Sequence, residues 1–156
     1  MPWMARVRGV SIEIRPASCA DLPHVLRLIG EMYPEDPPLS EAGADRIWAE
    51  IEAQTGRTLL VARDGAGEVL GTVDCVVMPN LSRAGRPRLV MENLVVSEDH
   101  RRRGVGRLLM AEVREIAERE GCYKVQFLSA EDAYVHEFYR SCGFTAWEGG
   151  GFFLYL

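Results

Sequence analysis

One stretch constrains the fold of this chain more than any other. Leu89–Val96 is an apolar run broken only by Glu92 and Asn93, and Ser97–Arg103 is polar. Gly104 and Gly106 then open a segment whose Val105, Leu108, Leu109, Val113, Ile116 and Ala117 recur at the helical period. Glu120 and Gly121 end that helix, and Tyr123–Leu128 reads as a strand. Strand, crossover helix and strand form a βαβ unit, which makes its two strands parallel. An all-α fold and a purely antiparallel one are both excluded.

The remaining elements are hairpins and helices. Ser11–Arg15 alternates Ile12 and Ile14 with polar residues and reads as a strand before Pro16. Ser18 and Asp21 form a capping-box-like helix start, with Asp where Glu or Gln is usual. Leu22, Val25, Leu26, Ile29 and Met32 recur at helical spacing, and Pro34, Pro37 and Pro38 end that helix near Tyr33. Ser40 opens a second helix, with Ala44, Ile47, Trp48 and Ile51 on one face. Thr58–Arg63 and Glu68–Met78 form a hairpin about Asp64-Gly65-Ala66-Gly67. Pro79–Arg88 is a loop. Asp132–Cys142 is a helix stopped by Gly143, and strands follow near Phe144–Trp147 and Phe152–Leu156. The order β-α-α-β-β-β-α-β-α-β-β predicts an α/β (α+β) fold. Its sheet is mixed, mostly antiparallel and seven-stranded, with a central parallel pair and about four helices.

Composition narrows the function classes. At 156 residues the expectation is a single domain, residues 1–156, with its own core. No apolar run approaches the roughly 18 residues of a membrane span, and no signal-like stretch follows Arg6 and Arg8. A soluble, cytoplasmic protein is expected. The net charge of −5 argues against nucleic-acid binding. Cys19, Cys75, Cys122 and Cys142 form no C-x-x-C pair, and no His lies at metal-ligand spacing, so reduced thiols and no metal are expected.

Arg101-Arg102-Arg103-Gly104-Val105-Gly106 lies between the apolar strand and the amphipathic helix. Free backbone N–H groups and the positive dipole end at a helix start favour an anion such as a pyrophosphate. Glycine lets a phosphate approach the backbone closely. The pattern alone arises by chance about 0.3 times in a chain of this composition, so its βαβ setting carries the reading. A dinucleotide G-x-G-x-x-G would follow its strand directly, and a P-loop would end in Gly-Lys-Ser/Thr; neither is present.

Leu94-Val95-Val96, Arg101-x-x-Gly104-x-Gly106 and Phe138-Tyr139-x-x-x-Gly143-Phe144, in that order, resemble the GNAT superfamily of acyl-CoA-dependent N-acetyltransferases. Ile14-Arg15-Pro16-Ala17 with Asp21-Leu22 is similar to its first strand and helix start, so the resemblance covers nearly the whole chain. It implies the GNAT fold, with the parallel strand pair splayed. It implies acetyl-CoA as co-substrate, its pyrophosphate held by the backbone of Arg101, Arg102, Arg103, Gly104, Val105 and Gly106. The pantetheine arm would pair with a bulged strand at Leu94, Val95 and Val96, and an amide near Leu94 or Val95 would polarise the thioester carbonyl. Asp132 stands where the family often has an asparagine that contacts the pantetheine or adenine side, and Val135 where it often has alanine. Asp132 and Phe138 complete the implied cofactor set. Tyr139 matches a tyrosine placed to protonate the departing thiolate.

The chemistry asks for the same groups. An amine is protonated near neutral pH and must lose a proton before it attacks, so a general base is needed. Glu92, a carboxylate within an apolar strand, is the candidate, and burial there would tune it. The alternative is that it faces solvent or pairs with Arg88 or Lys124. Tyr139 suits the acid, since a tyrosine's ordinary pKa of about 10 is near that of a thiol. Its alternative is a packed aromatic beside Val135 and Phe138. Strand amides would stabilise the tetrahedral oxyanion. Cys75, Cys122 and Cys142 read as core residues, and His100 and His136 as residues of exposed turns.

The acceptor is less defined. Glu35 and Asp36 favour a cationic amine, whereas Arg83, Arg86 and Arg88 favour a carboxylate or phosphate. Glu92–Val96, Gly121–Val125 and Cys142-Gly143-Phe144 are similar to glucosamine-6-phosphate N-acetyltransferases, but Phe152–Leu156 has no basic residue to meet a sugar phosphate. The reading is an N-acetyltransferase acting on the primary amine of a small molecule through a ternary complex. The alternatives are a protein or peptide N-acetyltransferase and a catalytically silent acyl-CoA-binding module. The apolar Phe152–Leu156 predicts a homodimer.

Overall fold

The computed structural model describes residues 3–7, 9–130, 132–149 and 154–155. Six strands among them form one sheet in chain order: β1 (Trp3–Val7), β2 (Val10–Pro16), β3 (Arg57–Asp64), β4 (Val69–Met78), β5 (Arg88–Val96) and β6 (Val125–Gln126). Neighbours from β1 to β5 are antiparallel, and β5 and β6 are parallel. Four helices complete the fold: α1 (Leu22–Met32), α2 (Glu41–Ala53), α3 (Val105–Arg119) and α4 (Ala133–Ser141).

Alternation along the strands builds two cores. Ile12, Ile14, Leu60, Val73, Leu89 and Met91 point to one face and meet Val105, Leu109, Val113 and Ile116 of α3. Val61, Val69 and Val95 point to the other and meet Val25 and Leu28 of α1. A leucine as buried as Leu109, with no exposure, contributes about 2 kcal/mol by burial alone. Gly71 of β4 lets α3 come close: a Cβ there would lie 3.0 Å from the Val95 carbonyl and 3.2 Å from Leu109.

Helix boundaries follow the expected chemistry. The Asp21 carboxylate accepts from the Ser18 N–H at 2.8 Å and its hydroxyl at 2.9 Å. It also takes both terminal nitrogens of Arg15 at 2.8 Å. The Ser40 hydroxyl accepts from the Gly43 N–H, capping α2.

Three expectations need correction. β1 was not anticipated; it turns back onto β2 through a two-residue connection in which Gly9 has φ +86°. The strand expected over Tyr123–Leu128 is only Val125–Gln126, because β5 bends away from it. Residues 144–147 are irregular; the pairing expected for them falls on Phe152–Leu156, of which only Leu154 and Tyr155 are described. The sheet therefore has six strands among the described residues rather than the expected seven.

Candidate active site

The site is built where β5 leaves β6. β6 pairs with β5 only at Leu89–Val125 and Val90–Gln126. On the β4 side the register slips: Asp74 faces Glu92 and Thr72 faces Val95, so Asn93 and Leu94 share the single partner position of Val73. That is a β-bulge. Asn93 has φ +53°, a left-handed conformation that asparagine tolerates better than most residues. The extra residue kinks β5, and among the described residues no strand pairs with 91–96 on the β6 side. Leu94 and Val96 pack toward α3, while Val95 is buried against α1.

Beyond β5 the chain makes a 3-10 turn, Glu98–His100, and enters α3. Gly104 is the N-cap of α3 with φ +83°, and Arg102 has φ +59°. Left-handed residues beside a helix start turn successive N–H groups into one concavity, which suits an anion. Arg101, Arg102 and Arg103 are exposed around it. Arg101 is partly committed: its Nε donates to the Val96 carbonyl at 3.2 Å and its Nη1 lies 3.7 Å from Glu98. The Glu98 N–H donates to Glu31 of α1 at 3.0 Å, which ties α1 to this loop.

Val105 is buried and anchors the helix start. Gly106 leaves room for a neighbouring ring, since a Cβ there would lie 3.2 Å from Phe138. Phe138 thus packs α4 onto the first turn of α3. Asp132 is the N-cap of α4, its Oδ1 accepting from the Val135 N–H at 2.9 Å. Its carboxylate already holds a helix start.

Tyr139 is half-buried in an aromatic group, with ring centroids 4.3 Å from Phe127, 5.2 Å from Phe138 and 6.1 Å from Phe144. Burial pushes its phenol above the ordinary range, with Cys142 adding to the rise. The phenol is therefore protonated across the physiological range, the state an acid needs. Tyr139 also lines a cavity of about 660 Å³ with Phe127, His136, Phe144 and Trp147. A smaller cavity of about 360 Å³ lies by the β3–β4 turn, away from these residues. Neither includes Glu92.

Glu92 corrects one expectation. It is exposed, not buried, on the sheet face opposite α3. It pairs with neither Arg88 nor Lys124 among the described residues. The gap between β5 and β6 therefore has the bulge and Glu92 on one flank and Phe127, backed by Tyr139, on the other.

Directly opposite Glu92 lies a group that the sequence reading missed. Asp74 is 7% exposed and receives the Arg57 Nε at 3.1 Å on both oxygens, with Nη2 donating as well. The available signal was a carboxylate within an apolar strand, the same signal that marked Glu92.

The four cysteines are free. Cys75 is buried and its thiol is pushed up to about 12, mainly by desolvation, so it is no nucleophile near neutral pH. Cys122 and Cys142 are raised for the same leading reason. His100, in the Glu98–His100 turn, is half-buried rather than exposed, and His136 is half-buried within α4 rather than on a turn, its Nε2 3.0 Å from the Ala130 carbonyl. Among the described residues no group of His, Cys, Asp and Glu could hold a metal ion.

Known proteins share this architecture. Residues 22–144 match the Acetyltransferase (GNAT) family. A glucosamine 6-phosphate N-acetyltransferase of Trypanosoma brucei brucei is 32% identical over 140 residues, 89% of this chain and 92% of that one. A solved candidate acetyltransferase from Agrobacterium tumefaciens str. C58 is 38% identical, with a TM-score of 0.86 over 91% of this chain and 99% of that one. The aminoglycoside N-acetyltransferase AAC(6')-Iy, solved in complex with CoA, has the same fold at 21% identity, with a TM-score of 0.78 over 97% of this chain and 99% of that one. The backbone concavity at Arg102–Gly104 and the open edge of β5 fit such a coenzyme, and the chain belongs to the GNAT family as an acetyl-CoA-dependent N-acetyltransferase.

Proposed function

We propose that residues 1–156 form one catalytic domain that moves the acetyl group to the primary amine of a small molecule by direct attack in a ternary complex. Bound acetyl-CoA supplies the activated thioester. The first turn of α3, with Arg101, Arg102 and Arg103 around Gly104, Val105 and Gly106, holds the pyrophosphate. The edge of β5 at Leu94, Val95 and Val96 aligns the pantetheine arm, and a bulge amide meets charge that develops on the carbonyl oxygen. Glu92 takes the proton from the amine, and Tyr139 returns one to the thiolate. Phe138 and Asp132 hold α4, and with it Tyr139, at the gap.

One observation carries this reading. The chain bulges at Asn93–Leu94 and parts from β6 after Val90, with a solvent-facing carboxylate on one flank and a protonated phenol behind the other. The carboxylate is free to meet an incoming amine, and nothing in the step requires a covalent enzyme intermediate.

The test is thiol release from acetyl-CoA with a panel of small amines and, separately, N-terminal and lysyl peptides. The name of the trypanosomal relative makes glucosamine 6-phosphate the first acceptor to try. Turnover of a small amine that Glu92→Gln suppresses is the expected result. Turnover of peptides alone would replace this reading with protein acetylation, and acetyl-CoA binding without turnover would leave a binding module.

We further propose a cytoplasmic homodimer. The free cysteines suit a reducing compartment. The apolar run at 152–156, of which Leu154 is 84% exposed, suits an interface. Light scattering on the purified chain reads its mass, and a monomer at micromolar concentration would sink the dimer.

A further inference from the structure

Arg83, Arg86 and Arg88 stand close together in sequence, but the structure gives them different work. Arg86 donates to the carbonyls of Gly121 at 3.3 Å and Cys122 at 3.0 Å. Arg83 lies over the Tyr123 ring, 5.7 Å from its centroid. Arg88 has neither a hydrogen bond nor an ion pair among the described residues, although its Nε is buried. A partly desolvated guanidinium without an acceptor is costly, and an anion that reaches it offsets that cost through charge-assisted hydrogen bonds. Other half-buried arginines here are satisfied, Arg15 by Asp21 and Arg57 by Asp74.

Its place on the sheet says what kind of molecule would bring that anion. Arg88 and Glu92 are four residues apart on one strand, with constant register between them. Their side chains therefore leave the same face, with Val90 between, and their Cα atoms are roughly 13 Å apart. Among the described residues neither side chain has a partner, and they do not pair with each other. A negative and a positive group held apart on one face complement a molecule that carries an ammonium and an anion. Asp74, across from Glu92, does not compete for that anion or that amine, because Arg57 already engages it.

We propose that Arg88 is a specificity-determining residue that binds a phosphate or carboxylate of the acceptor while the acceptor's amine faces Glu92. The substrate class is then a small amine that bears an anionic group. This inference rests on the reading of Glu92 as the base, and its test separates the two.

The direct arm needs no turnover. The Nε–H signal of Arg88 in the 15N-arginine-labelled chain, assigned by its loss in Arg88→Lys, is titrated with inorganic phosphate and with acetate at constant ionic strength. A saturable shift with either anion and none with chloride is expected. The absence of a saturable shift with both overturns the inference. The kinetic arm compares glucosamine 6-phosphate with glucosamine. Wild type should prefer the phosphate at least tenfold in kcat/KM, and Arg88→Met should erase most of that preference through KM, with Arg88→Lys restoring part of it. Equal losses for both acceptors, or none, would also overturn it. If wild type acetylates neither, transfer to an amino sugar fails by itself, and the titration still decides the role of Arg88.

Discussion

Glu92 and Tyr139, the base and acid of the proposed reaction, differ in their surroundings. Tyr139 is walled by three aromatic rings and held as the neutral phenol by burial. Glu92 stands in solvent, so its usefulness depends on position. Removal of a positioned acid or base costs a rate factor of about 10² to 10⁴. Glu92→Gln should therefore lower kcat at pH 7 about a hundredfold or more, and Tyr139→Phe by a similar factor, with the acetyl-CoA affinity of both nearly unchanged. Steady-state thiol release and a binding titration check this. Glu92 stood out in the sequence as a carboxylate set into an apolar strand, and Tyr139 through its place in the Phe138-Tyr139-x-x-x-Gly143-Phe144 motif. The exposure of Glu92 was not legible, since it depends on tertiary packing over that face of the sheet and not on the strand's own pattern. Asp74 carried the same signal without standing out, because nothing in the chain says that Arg57 lies beside it.

At the scale of elements, the start of α1 is an electrostatic device. Burial alone would raise the Asp21 carboxyl, but Arg15 and Ser18 outweigh it and hold the group down at about 2, against an ordinary 3.8. A depressed carboxyl stabilises the fold above its unfolded pKa and loses that contribution as pH falls through the folded one. The fold should thus lose about 2 kcal/mol from this group between about pH 4 and pH 2. Asp21→Asn should be less stable than wild type at pH 7 and nearly equal to it at pH 2, as measured by urea unfolding. The contact of β4 with α3 allows a second check. Gly71→Ala crowds the Val95 carbonyl, Leu109 and Val105, and should cost about 1–3 kcal/mol. Helix and hairpin limits were largely legible, because caps, prolines and alternation are local. β1 was not, because its pairing depends on a turn at Gly9. The brevity of β6 was not, because it follows from a kink in a different strand.

For the whole molecule, coenzyme binding and stability are linked. A ligand at a hundred times its Kd adds about 2.7 kcal/mol, which raises the Tm of a chain this size by roughly 5–10 °C. Acetyl-CoA should produce such a rise and NAD should not. Gly104→Glu should abolish the rise, since it places a carboxylate at the concavity and a side chain at φ +83°. Differential scanning fluorimetry reads all three. The parting of β5 from β6 has one more consequence. Residues 91–96 present backbone on one side with no strand beside it among the described residues, which is the geometry on which foreign strands nucleate. In the proposed binding mode, the coenzyme's arm would cover that edge and guard against self-association as well as serve as a substrate. Heated without ligand, the protein should scatter light sooner than the same protein held at equal distance below its own Tm with free coenzyme A.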